Sequence, residues 1–506
     1  MKTHASLLIL VACQAGCVAV DDLTPDTLAR TATGRYLLAA HVEGFGTEPT
    51  SVTAAIGRLE FPLTHVGRGR WETNALFGSC AQGFELRYLV RYPTVGSTIA
   101  TAVEPPGATA TNGGFLKWVM PEPKGPPCSG RASVFRVNTF SSDAIDANPG
   151  DGICDTLAGA PVECTLAAAI NEGNASPGPV TIELPAGRHI PNTFIYPQKD
   201  MVLSGLEPGA LIVDHLSTSG AFTLEARDVT FTRGVASVAT GGSLRLTNVS
   251  VLDNEGTFVE AGVTAGGRLF IENSTIRGNR RVGVKLLPGA RAHVVDSLIA
   301  GNGTTGSTPG PQSGGIWCTG TSELTLTSST ITGNTGTIGG VWLGTGCNAT
   351  LKNVTIAGNA VVAATAGSSA AGLTASAGSS VRLANTIVAD NSNSLDPTLA
   401  NCSTTALTGT VTLESLGHNL FGSLGSCVLD PLLDRPNLLG VSALLGELAD
   451  NGGPTQTRLP LPDSPALGAG SADPLNDASD AACTHADQRG QARSLPCDIG
   501  AVQTSP

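Results

Sequence analysis

The sequence predicts an all-β chain whose larger part is a parallel β-helix, and three observations carry that prediction. Six segments align without internal gaps: NVSVLDN (248–254), NSTIRGN (273–279), DSLIAGN (296–302), SSTITGN (328–334), NVTIAGN (353–359) and NTIVADN (385–391). Each has a β-branched residue in fourth place (Val251, Ile276, Ile299, Ile331, Ile356, Val388), Asn in last place, and an aliphatic residue two positions ahead (Leu246, Ile271, Val294, Leu326, Leu351, Leu383). In four of these turns a Gly, at 283, 315, 340 or 372, lies 19 residues before the closing Asn. A unit of about 25 residues with three short strands cannot bury its apolar side alone and must stack on its neighbours. Stacking turns the repeated positions into inward ladders of Val, Ile and Leu. The Asn column suits a corner in the left-handed conformation, with side chains hydrogen-bonding from coil to coil.

Composition narrows the function. The 506 residues include 63 Gly and 31 Pro, with 14% charged and 4% aromatic residues, so the core must be mainly aliphatic. Hydrophobic residues make up 41% and mean hydropathy is +0.13, which excludes charge-driven disorder. A formal net charge of −12 with no Lys/Arg stripe excludes a nucleic-acid partner.

The elements follow in order. Residues 1–17, MKTHASLLILVACQAGC, read as a lipoprotein-type signal peptide, with an apolar run too short to span a bilayer. Leu10-Val11-Ala12-Cys13 resembles the bacterial lipobox, whose Cys is lipidated; Cys17, after Ala15-Gly16, is the second candidate. Membrane attachment would then be through this N-terminal lipid anchor alone, and the exported chain would sit in the cell envelope or outside it. Residues 18–32 form a linker. Residues 33–132 hold β-like runs separated by turn clusters and predict a small β-sandwich, with the role of a spacer or adhesion module. Residues 133–178 include CTLAAAINEGNA (164–175), a short helix placed to cap the β-helix at its N-terminal end. Repeats occupy 179–430, and the Pro- and Asp-rich residues 431–506 read as a C-terminal cap. Both ends need closing because unpaired strand edges invite aggregation.

Ten cysteines follow the leader and fall in sequence order into five local pairs, Cys80–Cys128, Cys154–Cys164, Cys318–Cys347, Cys402–Cys427 and Cys483–Cys497, as an oxidising compartment allows. The separation from closing Asn to next Gly is 4 (Asn279→Gly283), 13 (Asn302→Gly315), 6 (Asn334→Gly340) and 13 (Asn359→Gly372). Loops therefore project from one corner, where repeat proteins often bind.

The segment FRVNTFSSDAIDANPGDGICDTLAGAPVECTLAAAINEGNA (135–175) resembles the CSLREA domain of bacterial surface proteins, with Ala167 and Ala168 where the family has Arg-Glu. Residues 401–502 resemble the choice-of-anchor Q region through Asn401-Cys402, Leu416-Gly417-His418-Asn419-Leu420, Ala449-Asp450-Asn451-Gly452-Gly453-Pro454-Thr455, Asp487-Gln488-Arg489-Gly490 and Cys497-Asp498-Ile499-Gly500-Ala501. The resemblance implies a right-handed β-helix of the pectin-lyase type, exported to the cell surface, and implies no general activity.

Two constellations are candidate sites. Lys285, Trp317 and Trp342 each follow an inward residue of the strand that begins at the core Gly, so alternation turns them outward, beside the variable corner. Outward indoles could stack on sugar rings, with Lys285 meeting a uronate carboxylate of a polysaccharide or envelope glycan; the bland alternative is that Trp strengthens the ladder. Asp143, Asp146, Asn148, Asp151 and Asp155 crowd oxygen ligands that calcium could use, though Asp, Asn, Pro and Gly are also ordinary turn residues. Asp228, Asp253, Glu260, Glu272, Asp296, Glu323 and Asp390 do not recur at one repeat position, as the paired carboxylates of a hydrolytic site would. Arg277, Arg280, Arg281 and Lys285 cluster in one turn without an acidic cluster beside them, which also leaves a lyase site incomplete. The expected function is non-catalytic adhesion or polysaccharide binding. A lyase, hydrolase or epimerase acting on uronate-containing glycans, or a purely structural surface protein, are the alternatives.

Overall fold

The computed structural model describes residues 133–504, except 141–143, 157–162, 179, 191–195, 214–215, 219, 233–234, 238–240, 255–260, 304–313, 363–368, 406–410, 431–434 and 478, together with strand backbones within 18–118. Cys13, Cys17, Cys80, Cys128, Asp143 and Glu260 lie outside the described residues.

The chain divides into a unit comprising residues 1–128 with 476–480 and a second unit comprising 129–475 with 481–506. In the first, the strands Arg35–His41, Ser51–Ile56, Leu59–Gly67, Arg70–Gly78, Phe84–Arg91, Thr98–Thr101, Thr109–Thr111 and Phe115–Trp118 are present where a sandwich is expected. They pair antiparallel in the order Arg35–His41, Arg70–Gly78, Leu59–Gly67, Ser51–Ile56, Phe84–Arg91, Phe115–Trp118 and Thr109–Thr111, and Thr98–Thr101 also pairs with Phe84–Arg91.

The second unit is the right-handed parallel β-helix. Face 1 has twelve strands, from Ser133–Arg136 to Leu429–Asp430; face 2 has eleven, from Gly187–His189 to Leu438–Leu439; face 3 has eight, from Leu216–Thr218 to Cys402–Thr405. The repeat alignment is the register: on face 2, Val251 pairs with Ile276, then Ile299, Ile331, Ile356 and Val388, and all are buried. Face 1 contributes Leu246, Ile271, Val294, Leu326, Leu351 and Leu383. A buried aliphatic side chain contributes about 1.5–3 kcal/mol, so every coil is held chiefly by its neighbours.

The closing Asn column forms a buried ladder. The backbone N–H of Asn279 donates to Asn302 Oδ1 at 3.0 Å, Asn302 to Asn334 at 3.0 Å, Asn334 to Asn359 at 3.0 Å and Asn359 to Asn391 at 3.0 Å. The same Oδ1 atoms accept the Nδ2 of the preceding Asn at 2.8–2.9 Å. The left-handed conformation falls elsewhere than expected. It is carried by the first residue of each segment, Asn248, Asn273, Asp296, Ser328, Asn353 and Asn385, and by the sixth, Asp253, Gly278, Gly301, Gly333, Gly358 and Asp390. Two sharp corners flank each face 2 strand, and the Asn between a left-handed residue and the next strand turns its side chain inward.

The Gly column makes room for this ladder. A Cβ on Gly315 would stand 2.3 Å from the carbonyl oxygen of Gly340, and one on Gly283 would stand 2.8 Å from Asn302 Nδ2. Gly262 pairs in the same column, but its span to Asn279 is 17 residues, because the corner from Ala265 to Arg268 is shorter. Length variation is therefore not confined to the corner after Asn. There, Thr335–Gly336, Ala360–Val361 and Ser392–Asn393 add a small parallel sheet of their own.

The helix Leu166–Ala175 caps the N-terminal end as expected, with Thr165 Oγ1 accepting the N–H of Ala168 at 3.0 Å and Leu166, Ala169 and Ile170 joining the core of Val180, Ile182 and Met201. The segment read as part of that cap also supplies the first rung, since Ser133–Arg136 pairs with Val180–Leu184. The C-terminal cap does more than close the far end. It runs back along face 2 as a lateral strap: Gly500 N–H donates to Asn385 O, Ala501 N–H to Thr355 Oγ1, Thr330 Oγ1 to Gln488 Oε1, and Arg277 Nη1 to Gln456 Oε1. Ala443, Ala466 and Ile499 of the strap form a second apolar cluster with Ile387, Ala389 and Leu420 of face 2.

Two stability tests follow from this packing. Asn334→Ala removes the acceptor of Asn302 N–H and Nδ2 in a fully buried setting and should cost about 3 kcal/mol or more, measured by denaturant unfolding. His189 occupies an inward place in register with Ile212, and burial lowers its pKa below the usual 6.5 against a weaker opposing bond to Pro185 O. The unfolded chain takes up this proton first, so stability is complete above about pH 6.5 and declines as pH falls toward the lowered value. His189→Leu should flatten that decline in a pH series of unfolding midpoints.

Candidate functional site

Face 3 positions the outward column Thr264, Lys285, Trp317, Trp342 and Thr374 in direct register. Trp317 and Trp342 sit between inward neighbours, Ile316 and Cys318 in one coil and Val341 and Leu343 in the next, all fully buried. Alternation therefore fixes both indoles on the outside, where each is half-buried. Their rings stack with centroids 5.1 Å apart and an interplanar angle of 5°, the coil spacing itself setting the separation. Lys285 Nζ lies 4.6 Å from the Trp317 centroid, a cation–π contact, and Trp342 Nε1 donates to Ser376 Oγ at 3.0 Å. The disulfide Cys318–Cys347 cross-links the same two coils just behind the indoles.

This geometry alters what the column can do. Trp317 has Trp342 on one face and Lys285 on the other, so no sugar ring can lie flat on it. What the column presents is a stiff apolar edge with a cation at one end, beside the variable corner. The structure brings the three residues together, with both faces of Trp317 already covered.

In the Asp-rich loop, Asp146 and Asp151 bond to backbone groups. Asp146 accepts the N–H of Asn148 at 2.9 Å and of Asp155 at 3.0 Å, and Asp151 accepts that of Ile153 at 2.8 Å. Glu172, fully buried on the capping helix, accepts the N–H of Gly150 and, at 2.8 Å, of Gly152. Both glycines have positive φ, so Glu172 holds a turn that needs them. Among the described residues no three His, Cys, Asp or Glu side chains converge as a cation would require. Sequence reading missed Glu172 because its partners are backbone groups some twenty positions away.

Carboxylates on the helix are similarly engaged. Glu225 and Glu272 flank Arg245, at 3.4 Å and 2.9 Å, and Glu323 meets Arg291 at 3.3 Å. Burial lowers the pKa of Arg245, while Glu272 and Glu225 oppose the shift. Asp390 accepts the N–H of Ala443 from the strap, and Asp228 accepts Asn248 Nδ2. Face 1 also carries a ladder that the sequence reading passed over, Glu225, Arg245, Phe270 and His293, the last two stacked with centroids 5.3 Å apart. The visible signal was the middle residue of the strands LRL, LFI and AHV.

The conspicuous C-terminal motifs prove to be the strap's fastenings. Asp487 accepts the N–H groups of Arg489, Gln491 and Gln503, and Gln488 bridges Thr330 and Thr455. Arg493, wholly buried and lowered to about 10 by desolvation, donates to Gly500 O. His418 takes a left-handed corner and bonds Ala469 O, while Asn419 Oδ1 accepts the N–H of Thr386. Among the described residues the expected disulfides Cys154–Cys164, Cys318–Cys347, Cys402–Cys427 and Cys483–Cys497 are present, and Cys80–Cys128 lies outside them.

The chain is thus a capped right-handed parallel β-helix protein, and residues 233–411 match the family model described as a right-handed β-helix region. Among solved structures, the pectate lyase Pel9A aligns at 13% identity over 74% of this chain and 97% of its own, with a TM-score of 0.42. The family 28 exopolygalacturonase of Yersinia enterocolitica aligns at 9% identity over 80% of this chain and 91% of its own, with a TM-score of 0.29. No curated protein matches the sequence.

Because Asp146 and Asp151 already accept backbone N–H groups, adding calcium or EDTA should leave the unfolding midpoint unchanged. Glu172→Ala should instead lower stability by about 2–4 kcal/mol, since it strands the donors of Gly150 and Gly152.

Proposed function

We propose that this protein is an exported, non-catalytic β-helix of the bacterial envelope that binds polysaccharide along face 3. The observation that carries the reading is the half-exposed column Lys285–Trp317–Trp342 beside the variable corner, stiffened by a disulfide directly behind it. Indole edges offer apolar contact to sugar C–H groups at little entropic cost, and the cation adds a charged contact. The engagement of Glu225, Glu272, Glu323, Asp228 and Asp390 in ion pairs, corners and the strap supports binding over hydrolysis. The signal-like leader, the resemblance to CSLREA and choice-of-anchor Q proteins, and the disulfides support export. Attachment would be through a lipid on Cys13 or Cys17 of the signal-like leader.

The test is size-exclusion chromatography with light scattering on mixtures of the protein with acidic and neutral polysaccharides. The polymer peak should gain protein mass at constant chain length, and Trp317→Ala should weaken that gain about tenfold or more. A polymer peak that shrinks with time would make the protein a depolymerising enzyme. No association with any polymer would point to a structural role.

A further inference from the structure

We infer that the disulfide Cys483–Cys497 is a redox clasp, whose closure locks the strap onto face 2 whatever face 3 binds. Of the four disulfides in the described residues, this is the one with both halves in the strap. Cys154–Cys164 lies at the N-terminal cap, and Cys318–Cys347 and Cys402–Cys427 each start from a face 3 strand. Cys483 and Cys497 are wholly buried, where two passes of the strap meet the β-helix. On the side of the β-helix, Asn353 Nδ2 donates to Cys483 Sγ at 3.5 Å, and Cys497 Sγ lies 4.0 Å from Asn385 Oδ1. On the side of the strap, Gly470 N–H donates to Cys497 O at 2.7 Å, and a Cβ on Gly470 would collide with Cys497 Sγ. The left-handed corner residues are the seats: Asn385 Oδ1 accepts Ser471 N–H at 2.8 Å, and Asn353 Oδ1 accepts Thr484 N–H at 3.1 Å.

The two cysteines are 14 positions apart, and the loop between them carries the fastenings. Thr484 Oγ1 bonds Ser328 Oγ at 3.1 Å, and Gln488 Oε1 accepts from Thr330 Oγ1 at 2.6 Å. Arg493 braces the loop by donating to Thr484 Oγ1 at 3.1 Å and to Gly500 O at 2.9 Å. Little regular structure holds these groups in place. From Ala443 to Gln503 the described residues form no strand or α-helix and pair only in the isolated bridges Leu445–Pro460, Ala449–Thr457 and Ala486–Ala492. A reduced strap must therefore lose its chain entropy each time it seats. Closing a loop of this length removes that cost in advance and favours the seated strap by about a hundredfold. The step is a thiol–disulfide exchange with a small disulfide oxidant such as oxidised glutathione. One cysteine thiolate attacks the oxidant, the other displaces the carrier from the mixed disulfide, and the oxidant takes two electrons and two protons to become two thiols. Once the strap is seated both sulfurs are buried, so a reductant reaches them only when the strap lifts. In a reducing compartment face 2 stays open, and the cover is completed where disulfides persist.

The experiment follows amide hydrogen exchange in the full chain and in the double variant Cys483→Ser/Cys497→Ser, without reductant so that the other disulfides stay closed. The amides of Ser471, Thr484, Gly500 and Ala501 donate to Asn385, Asn353, Asn385 and Thr355 of the β-helix. They should exchange about a hundredfold faster in the double variant, while those of Val284, Ile316 and Val341 on face 3 keep their wild-type rates. Strap amides that stay as protected as in the wild type overturn the inference. An equal rise on face 3 also overturns it, because the disulfide would then hold the whole β-helix rather than the strap. Cys154→Ser/Cys164→Ser is the control, and strap exchange raised to the same degree there overturns the clasp as well. None of these outcomes bears on polysaccharide binding by face 3.

Discussion

Everything in the larger unit depends on coils stacking in strict register, and the buried Asn ladder is the interaction that enforces it. An aliphatic column tolerates small shifts between coils, since apolar contact has no direction. An amide that accepts both a backbone N–H and a side-chain N–H from the preceding coil does not. A slip of one residue would leave those donors buried and unbonded, at about 1–3 kcal/mol each. The Gly column is the steric counterpart, because any side chain there would collide with the next coil's carbonyl or with the ladder. The 5.1 Å separation of Trp317 and Trp342 follows from the same register, so the outward site inherits its geometry from an inward amide.

The fold was legible because a solenoid writes its register into sequence spacing. Val251 to Val388 could be aligned by eye, and the structure pairs them one for one. The corner conformations were misplaced because Asn occurs at both the first and the last position of the repeat, and residue type alone does not separate a left-handed corner from an inward ladder. Gly262 escaped because the rule of 19 fails where the Ala265–Arg268 corner is shorter. The strap escaped because its bonds join residues such as Arg277 and Gln456, 179 positions apart, through no repeated pattern.

The candidate site was partly legible for a related reason. Alternation sufficed to bring Lys285, Trp317 and Trp342 to one surface, and their distances follow from coil spacing. Ring orientation does not follow from alternation, so the stacking by Trp342 and the cation of Lys285 that close the two faces of Trp317 had to be seen. In the Asp-rich loop the residue types fit a cation or a turn equally well. Glu172, reaching in from the helix to the N–H groups of Gly150 and Gly152, shows the loop organised as a turn.

The strap also bears on the order of assembly. A bare solenoid couples each coil to the next and can form from one end without waiting for the other. Here Thr330, Thr355 and Ile387 on face 2 are covered by residues from Ala443 to Gln503 that come back to lie over them. Those residues leave the ribosome after the coils they cover. During synthesis the growing helix therefore carries one side open along its length, and the later strap both covers that side and ties distant coils into a single cooperative body.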